Sequence, residues 1–180
     1  MNHHTAKHRL INTKKLVTAA MLVALTVALS GFSIPIGASR CYPIQHLVNI
    51  LCAVFLGPAW GVAAAFCTSL IRNLMGTGSL LAFPGSMVGA LLAGLMYKYS
   101  HKLTLTYIGE LFGTGVLGGL LCFPVASYLM GQTTAIFAYV LPFFMSSLAG
   151  TCIAFVFLGV LYKSGILDTL KGLLAERAVS

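Results

Sequence analysis

Between Leu16 and Tyr162 the chain is a succession of apolar, helix-length runs separated by short turns containing glycine and proline. Charged residues make up 8% of the sequence and hydrophobic ones 58%, with a mean hydropathy of +0.94. A soluble domain carries roughly 25% charged residues, and a chain this apolar cannot cover its surface with polar groups. An integral membrane protein is the expected class. In hydrocarbon the backbone must be satisfied within the protein, so such runs are expected to span as helices. The formal net charge of +8 then requires no nucleic-acid partner. It fits Lys and Arg anchoring cytoplasmic segments.

Against this background the stretch Arg40–Gly85 stands out, because polar residues recur inside its apolar runs. Gln45, His46 and Asn49 follow Pro43. Arg72 and Asn73 precede a glycine-rich turn, and Phe83-Pro84-Gly85 closes the stretch. Such groups are costly in a membrane, so they face a cavity or a partner. Gln45 and Asn49 are four apart and His46 and Asn49 three apart, which crowds them on one side of a helix. Amides offer donors and acceptors, and imidazole adds an adaptable third group. That set suits a small, polar, uncharged ligand; the competing reading is that it caps or cross-links helices.

Arg72, beside Asn73 and Ser69, has three possible roles: binding an anionic group, holding a loop carbonyl, or snorkelling to the interface. Tyr42, Phe83, Tyr128, Phe137 and Tyr139 fall near one face. They serve either as stacking partners for a planar heterocycle or as an interfacial belt. Phe83, fixed in a turn by Pro84 and Gly85, is the best candidate for stacking. No second His, Asp or Glu accompanies His46 in the outer half, so no metal site is expected there. Glu110, the sole acid before Asp168, falls near the start of the fifth helix. Pairing with Lys102 is expected there, since one carboxylate without a relay is a poor basis for proton coupling.

The pattern predicts an all-α bundle of six transmembrane helices forming a single membrane domain. Residues 1–14 make a flexible cytoplasmic N-terminus, 15–162 the bundle and 163–180 a cytoplasmic tail. His3, His4 and His8 lie in that N-terminus, with no further ligands nearby to make a metal site. The helices are expected over Lys15–Phe32, Pro43–Leu56, Ala59–Met75, Gly85–Tyr99, Leu105–Met130 and Thr133–Tyr162. Pro124 and several glycines in the fifth imply a kink and close packing. Pro142 is placed inside the sixth, and Ile166, Leu167, Leu170, Leu173 and Leu174 suggest an amphipathic tail helix. The N-terminus resembles a signal peptide up to Ala28-Leu29-Ser30. The apolar run continues to Ile34, however, close to the roughly 20 residues that span a bilayer, so an uncleaved first helix is expected.

Six spans place both termini on one side. The inner segments then hold Lys7, Arg9, Lys14, Lys15, Lys98, Lys102, Lys163, Lys171 and Arg177, against Arg40 and Arg72 outside. The bias makes both termini cytoplasmic. Ala20, Ala24 and Ala28 form a smooth stripe on the first helix that admits close approach of another helix, inside or outside the chain. The five cysteines are scattered, so buried free thiols are expected; Cys41, in an outer loop, is the one expected to be reactive. No Walker A, GxSxG or HExxH motif occurs, so no ATP hydrolysis or other enzymatic activity is expected. Two matching halves are also lacking, which disfavours an inverted-repeat transporter.

Pro43-Ile44-Gln45-His46 with Asn49, Gly57-Pro58, Arg72-Asn73 with Gly76 and Gly78, and Ala82-Phe83-Pro84-Gly85 together carry a resemblance to a known family. The chain resembles the substrate-binding (S) components of energy-coupling factor (ECF) vitamin transporters, most closely the ThiW family, over about Leu16–Tyr162. The resemblance implies a six-helix S component in a prokaryotic plasma membrane, with an outward-facing pocket closed by the loop after helix 1. It also implies a thiazole precursor of thiamine as ligand, with no cofactor. Ala20, Ala24 and Ala28 match the family's docking surface for a transmembrane coupling subunit, and two partner ATPases would supply energy. The expected substrate-binding set is Tyr42, Gln45, His46, Asn49, Arg72, Asn73, Phe83, Tyr128 and Tyr139. Alternatives are an S component for thiamine, its pyrimidine precursor or another vitamin, an intramembrane enzyme using His46 and Arg72, and a scaffold or channel-like protein.

Overall fold

Proline and glycine set most of the helix boundaries. The computed structural model describes residues 3–36 and 39–175. Helix α1 runs over His3–Ala28 and ends in a 3-10 turn, Leu29–Gly31. A short antiparallel hairpin follows, β1 (Ile34–Ile36) and β2 (Ser39–Cys41), with Pro35 opposite Arg40. Helix α2 (Pro43–Phe55) starts on its proline. Helix α3 (Pro58–Leu74) starts on another, just after Gly57 at φ 92°. Proline is tolerated there because a first-turn N–H has no helical acceptor anyway. Helix α4 spans Ala82–Ser100 and α5 Leu103–Leu129. Helix α6 spans Val140–Lys163 and α7 Ile166–Ala175.

Several boundaries differ from expectation. Helix α1 begins at His3, well before Lys15. The side chains of His3, His4, Lys7, His8 and Arg9 lie outside the described part of the structure, as do Arg177 and Ser180. The loop after α1 contains the hairpin, the one departure from an all-helical chain among the described residues. Helix α6 begins at Val140 instead of Thr133, which puts Pro142 in its first turn. An interior proline would lose a hydrogen bond and clash with the preceding turn, so starting at Val140 avoids that cost. Helix α5 stays continuous past Pro124, but its turns widen to π geometry over Leu111–Gly118 and Val125–Leu129.

The exterior is apolar, and the interior gathers polar groups beside apolar clusters such as Ile50, Leu51, Ala154 and Leu158. Leu16, Met21, Phe112, Leu121, Phe155 and Val160 are exposed, while Asn49, Thr68, Ser69, Arg72, Glu110 and Thr114 are buried. That arrangement is what a hydrocarbon solvent permits, with polar groups turned inward onto one another. Three helices, Thr13–Gly31, Leu103–Leu129 and Val140–Lys163, are long and apolar enough to cross a membrane. Helices α2, α3 and α4 pack among them, with α4 against α2, α3 and α5.

Two glycines bring the helices close enough to form a polar centre. A Cβ on Gly89 of α4 would collide with Thr114 Oγ1 of α5 and crowd the Glu110 carboxylate. A Cβ on Gly150 of α6 would collide with the Pro43 carbonyl and His46 Cβ of α2. Both contacts follow the small-residue logic of membrane helix packing.

Candidate functional site

Helix α2 supplies the floor of the site. Its 3.6-residue period carries Gln45, His46 and Asn49 inward together, and all three are buried. Gln45 Nε2 donates to Asn49 Oδ1 at 3.4 Å. Asn49 Nδ2 donates to the Ser86 carbonyl at 3.1 Å and to Glu110 Oε1 at 3.0 Å. His46 Nδ1 meets the same Glu110 oxygen at 2.9 Å, and Thr114 Oγ1 donates to it at 3.0 Å. An ionised carboxylate accepts only, so against it His46 donates from Nδ1. Ser146 Oγ lies 3.0 Å from Nε2 and accepts from the Tyr42 N–H at 2.8 Å. One hydrogen-bond chain thus runs from the loop backbone at Tyr42 to a fully buried acid.

Above this floor is a cavity of about 510 Å³. Tyr42, Gln45, His46, Arg72, Tyr139, Phe143 and Ser146 line it, with Arg40 and the 76–79 turn also at its wall. The Arg72 guanidinium lies 3.7 Å from the centroid of the Tyr42 ring. Tyr42 Oη and Arg72 Nη2 both donate to the Thr77 carbonyl, at 3.0 and 3.4 Å. Asn73 Nδ2 donates to the Ser69 and Ser79 carbonyls at 2.8 and 3.0 Å, fixing the same turn from behind. Gly76 supplies the positive φ of 72° that this turn needs. On the opposite wall Tyr139 Oη donates to Gln132 Oε1 at 2.9 Å. Among the described residues three buried polar atoms of the site have no hydrogen-bond partner: Gln45 Oε1, Arg72 Nε and, in the floor, Glu110 Oε2.

The basic residues collect at the other end. Ser30 Oγ meets Thr77 Oγ1 at the cavity end of α1. Lys14 Nζ, sixteen residues earlier and so about 24 Å away along a helix, donates to the Leu173 carbonyl of α7. Lys15, Lys98 and His101 gather at that same end, and Lys171 lies over the Tyr97 ring.

A family of thiamine-precursor transporter proteins, ThiW, matches the chain over residues 16–164. The chain belongs to the ThiW family. Its cavity, polar floor and loop walls all fall within the matched residues. No curated protein and no solved structure matches the chain.

Within this ThiW chain the predicted site residues divide into three groups. Tyr42, Gln45, His46, Arg72 and Tyr139 come together around the cavity. Asn49 and Asn73 do not line it; they support the floor and the turn from behind. Phe83 and Tyr128 lie elsewhere. The Phe83 ring packs on Phe66 with centroids 5.6 Å apart, and Tyr128 is 84% exposed on the outside. Phe143, one residue beyond Pro142, provides the aromatic wall instead. The sequence reading missed Phe143 and Ser146, and singled out Glu110 without placing it in the site.

Two further expectations are corrected. Glu110 pairs with His46, while Lys102 is exposed. An acid therefore does accompany His46. Cys41, expected to be reactive, is 2% exposed, and its Sγ donates to the Pro142 carbonyl at 3.4 Å. Burial pushes its thiol up, with Ser146 pulling weakly the other way. The thiolate is the reactive form, and a free cysteine titrates near about pH 8.5. Maleimide labelling of Cys41, in a variant with Cys67 and Cys152 changed to serine, should be slow at neutral pH. It should accelerate only above the usual thiol range. Rapid labelling at pH 7 would show that the hairpin leaves Cys41 open.

Proposed function

We propose that this protein is the substrate-binding subunit of an ECF-type transporter and that its cavity takes the thiazole precursor of thiamine, hydroxyethylthiazole or a close relative. The observation that carries the reading is the 510 Å³ cavity with its hydrogen-bonding floor, inside a chain of a thiamine-precursor transporter family. Small-molecule sites commonly measure about 300–1,000 Å³, with apolar walls and a few placed polar groups. Gln45 Oε1 accepts the ligand hydroxyl, and Phe143 and Tyr139 pack on the ring. The cavity end faces outward and the lysine-rich end lies in the cytoplasm, as the positive-inside bias requires. Ala20, Ala24 and Ala28, all exposed on α1, dock on a transmembrane coupling subunit. Energy comes from two partner ATPases.

Losing one hydrogen bond to a neutral ligand costs on the order of 0.5–1.5 kcal/mol, and more where a buried group is left unpaired. Gln45→Ala should therefore weaken hydroxyethylthiazole binding to the purified protein by about tenfold. Tyr128→Ala, on the exterior, should leave the titration unchanged. Equal titration curves for wild type and Gln45→Ala would remove the cavity from consideration as the substrate site.

A further inference from the structure

Arg72 is 1% exposed; among the described residues its Nε has no hydrogen-bond partner, and the guanidinium's contact with the Thr77 carbonyl is long at 3.4 Å. Stacking on Tyr42 fixes the guanidinium plane at the cavity wall. A buried charge is costly unless it is paired, and Arg72 makes no ion pair among the described residues. The acid within the bundle, Glu110, does not line the cavity; its Oε1 accepts from His46, Asn49 and Thr114. Among the described residues no carboxylate lines the cavity, while Arg40 adds a second cation at its rim. The cavity is also roomy for a small ring bearing one short alcohol arm.

We infer that the ligand carries a negatively charged group, a phosphate ester or a carboxylate, and that Arg72 receives it. This rests on the cavity being the substrate site, and it replaces the neutral alcohol with an anionic form of the precursor. Arginine suits the task because its planar fork meets an oxyanion with two parallel hydrogen bonds, roughly twice as strong as neutral ones. Arg72 Nε supplies one, and an Nη group, released from its long bond to Thr77, supplies the other. Gln45 and Ser146, on the floor, then meet the heterocycle.

The test is a two-by-two titration of the purified full-length protein. The probes are hydroxyethylthiazole, its phosphate ester, hydroxymethylpyrimidine and its phosphate ester. The phosphate esters should bind at least about tenfold more tightly than the parent alcohols. Arg72→Gln should erase that preference, weakening the esters at least about tenfold more than the alcohols, and Arg72→Lys should restore part of it. A solely structural Arg72 would instead weaken all probes equally in both variants, which overturns the inference. Tight binding of hydroxyethylthiazole with no gain for its ester also overturns it, yet leaves the thiazole reading intact. Preference for the pyrimidine ester with no thiazole binding supports the anion subsite and refutes the thiazole assignment. Failure of all four probes overturns both.

Discussion

Replacing Glu110 by alanine is expected to destabilise the protein by about 3–5 kcal/mol, the usual cost of removing one partner from a buried pair. Glu110 is fully buried, and one of its oxygens gathers donors from three side chains: His46, Asn49 and Thr114. Alanine leaves those three donors facing a void where the acceptor stood. Each stranded donor costs about 1–3 kcal/mol, although helix relaxation recovers part of the sum. The melting temperature of the ligand-free protein in detergent should drop by on the order of 10 °C. Ligand binding should go with it, because His46 loses the contact that fixes its tautomer. Glu110→Gln keeps the shape and one acceptor oxygen, so a smaller loss is expected. Lys102→Ala should do nothing, since Lys102 is exposed and Glu110 is held by other partners. The opposite pattern, a stable Glu110→Ala and an unstable Lys102→Ala, would mean that the polar centre is not organised around this acid.

The contrast between Glu110 and Lys102 also shows where a sequence reading reaches its limit. Features set by local chemistry were legible: the start of α2 at Pro43, that of α3 to within one residue of Pro58, and the shared face of Gln45, His46 and Asn49. The partner of His46 was not, because it lies 64 residues away along the chain. Nearness in sequence favoured Lys102. In the structure α5 begins at Leu103, and seven further residues carry Glu110 about 10 Å into the bundle. What turns it toward α2 is the close approach of α4 at Gly89, a tertiary fact. Tyr128 failed for a different reason. It sits in the π segment Val125–Leu129, and wider turns shift the register, so a 3.6-residue count no longer says which face it occupies. Phe143 became visible as a wall residue only once α6 was seen to begin at Val140.

Ala24→Trp is expected to reduce uptake in cells to background while leaving ligand binding by the isolated protein within about twofold of wild type. Ala20, Ala24 and Ala28 are exposed on α1, whereas Ala19, Thr26 and Ser30 on its other side are buried against the bundle. An indole at position 24 therefore points away from the cavity and from every contact that holds α1. It does, however, fill the shallow groove through which two helix backbones approach. Membrane helix association depends on that closeness, since lipid gives apolar side chains no reason to leave it. If the stripe docks on a coupling subunit, a single bulky residue separates the surfaces and uncouples binding from ATP-driven transport. Ala24→Ser, still small, should transport normally. Leu25→Trp is the control for bulk alone, since Leu25 is 45% exposed and its position around the helix falls outside the arc of Ala20, Ala24 and Ala28. It should retain more transport than Ala24→Trp. The paired measurement is uptake of labelled ligand by cells expressing the full transporter, and titration of the same variant after purification. Uptake surviving Ala24→Trp, or uptake and binding falling together, would show that this face of α1 is not a dedicated docking surface.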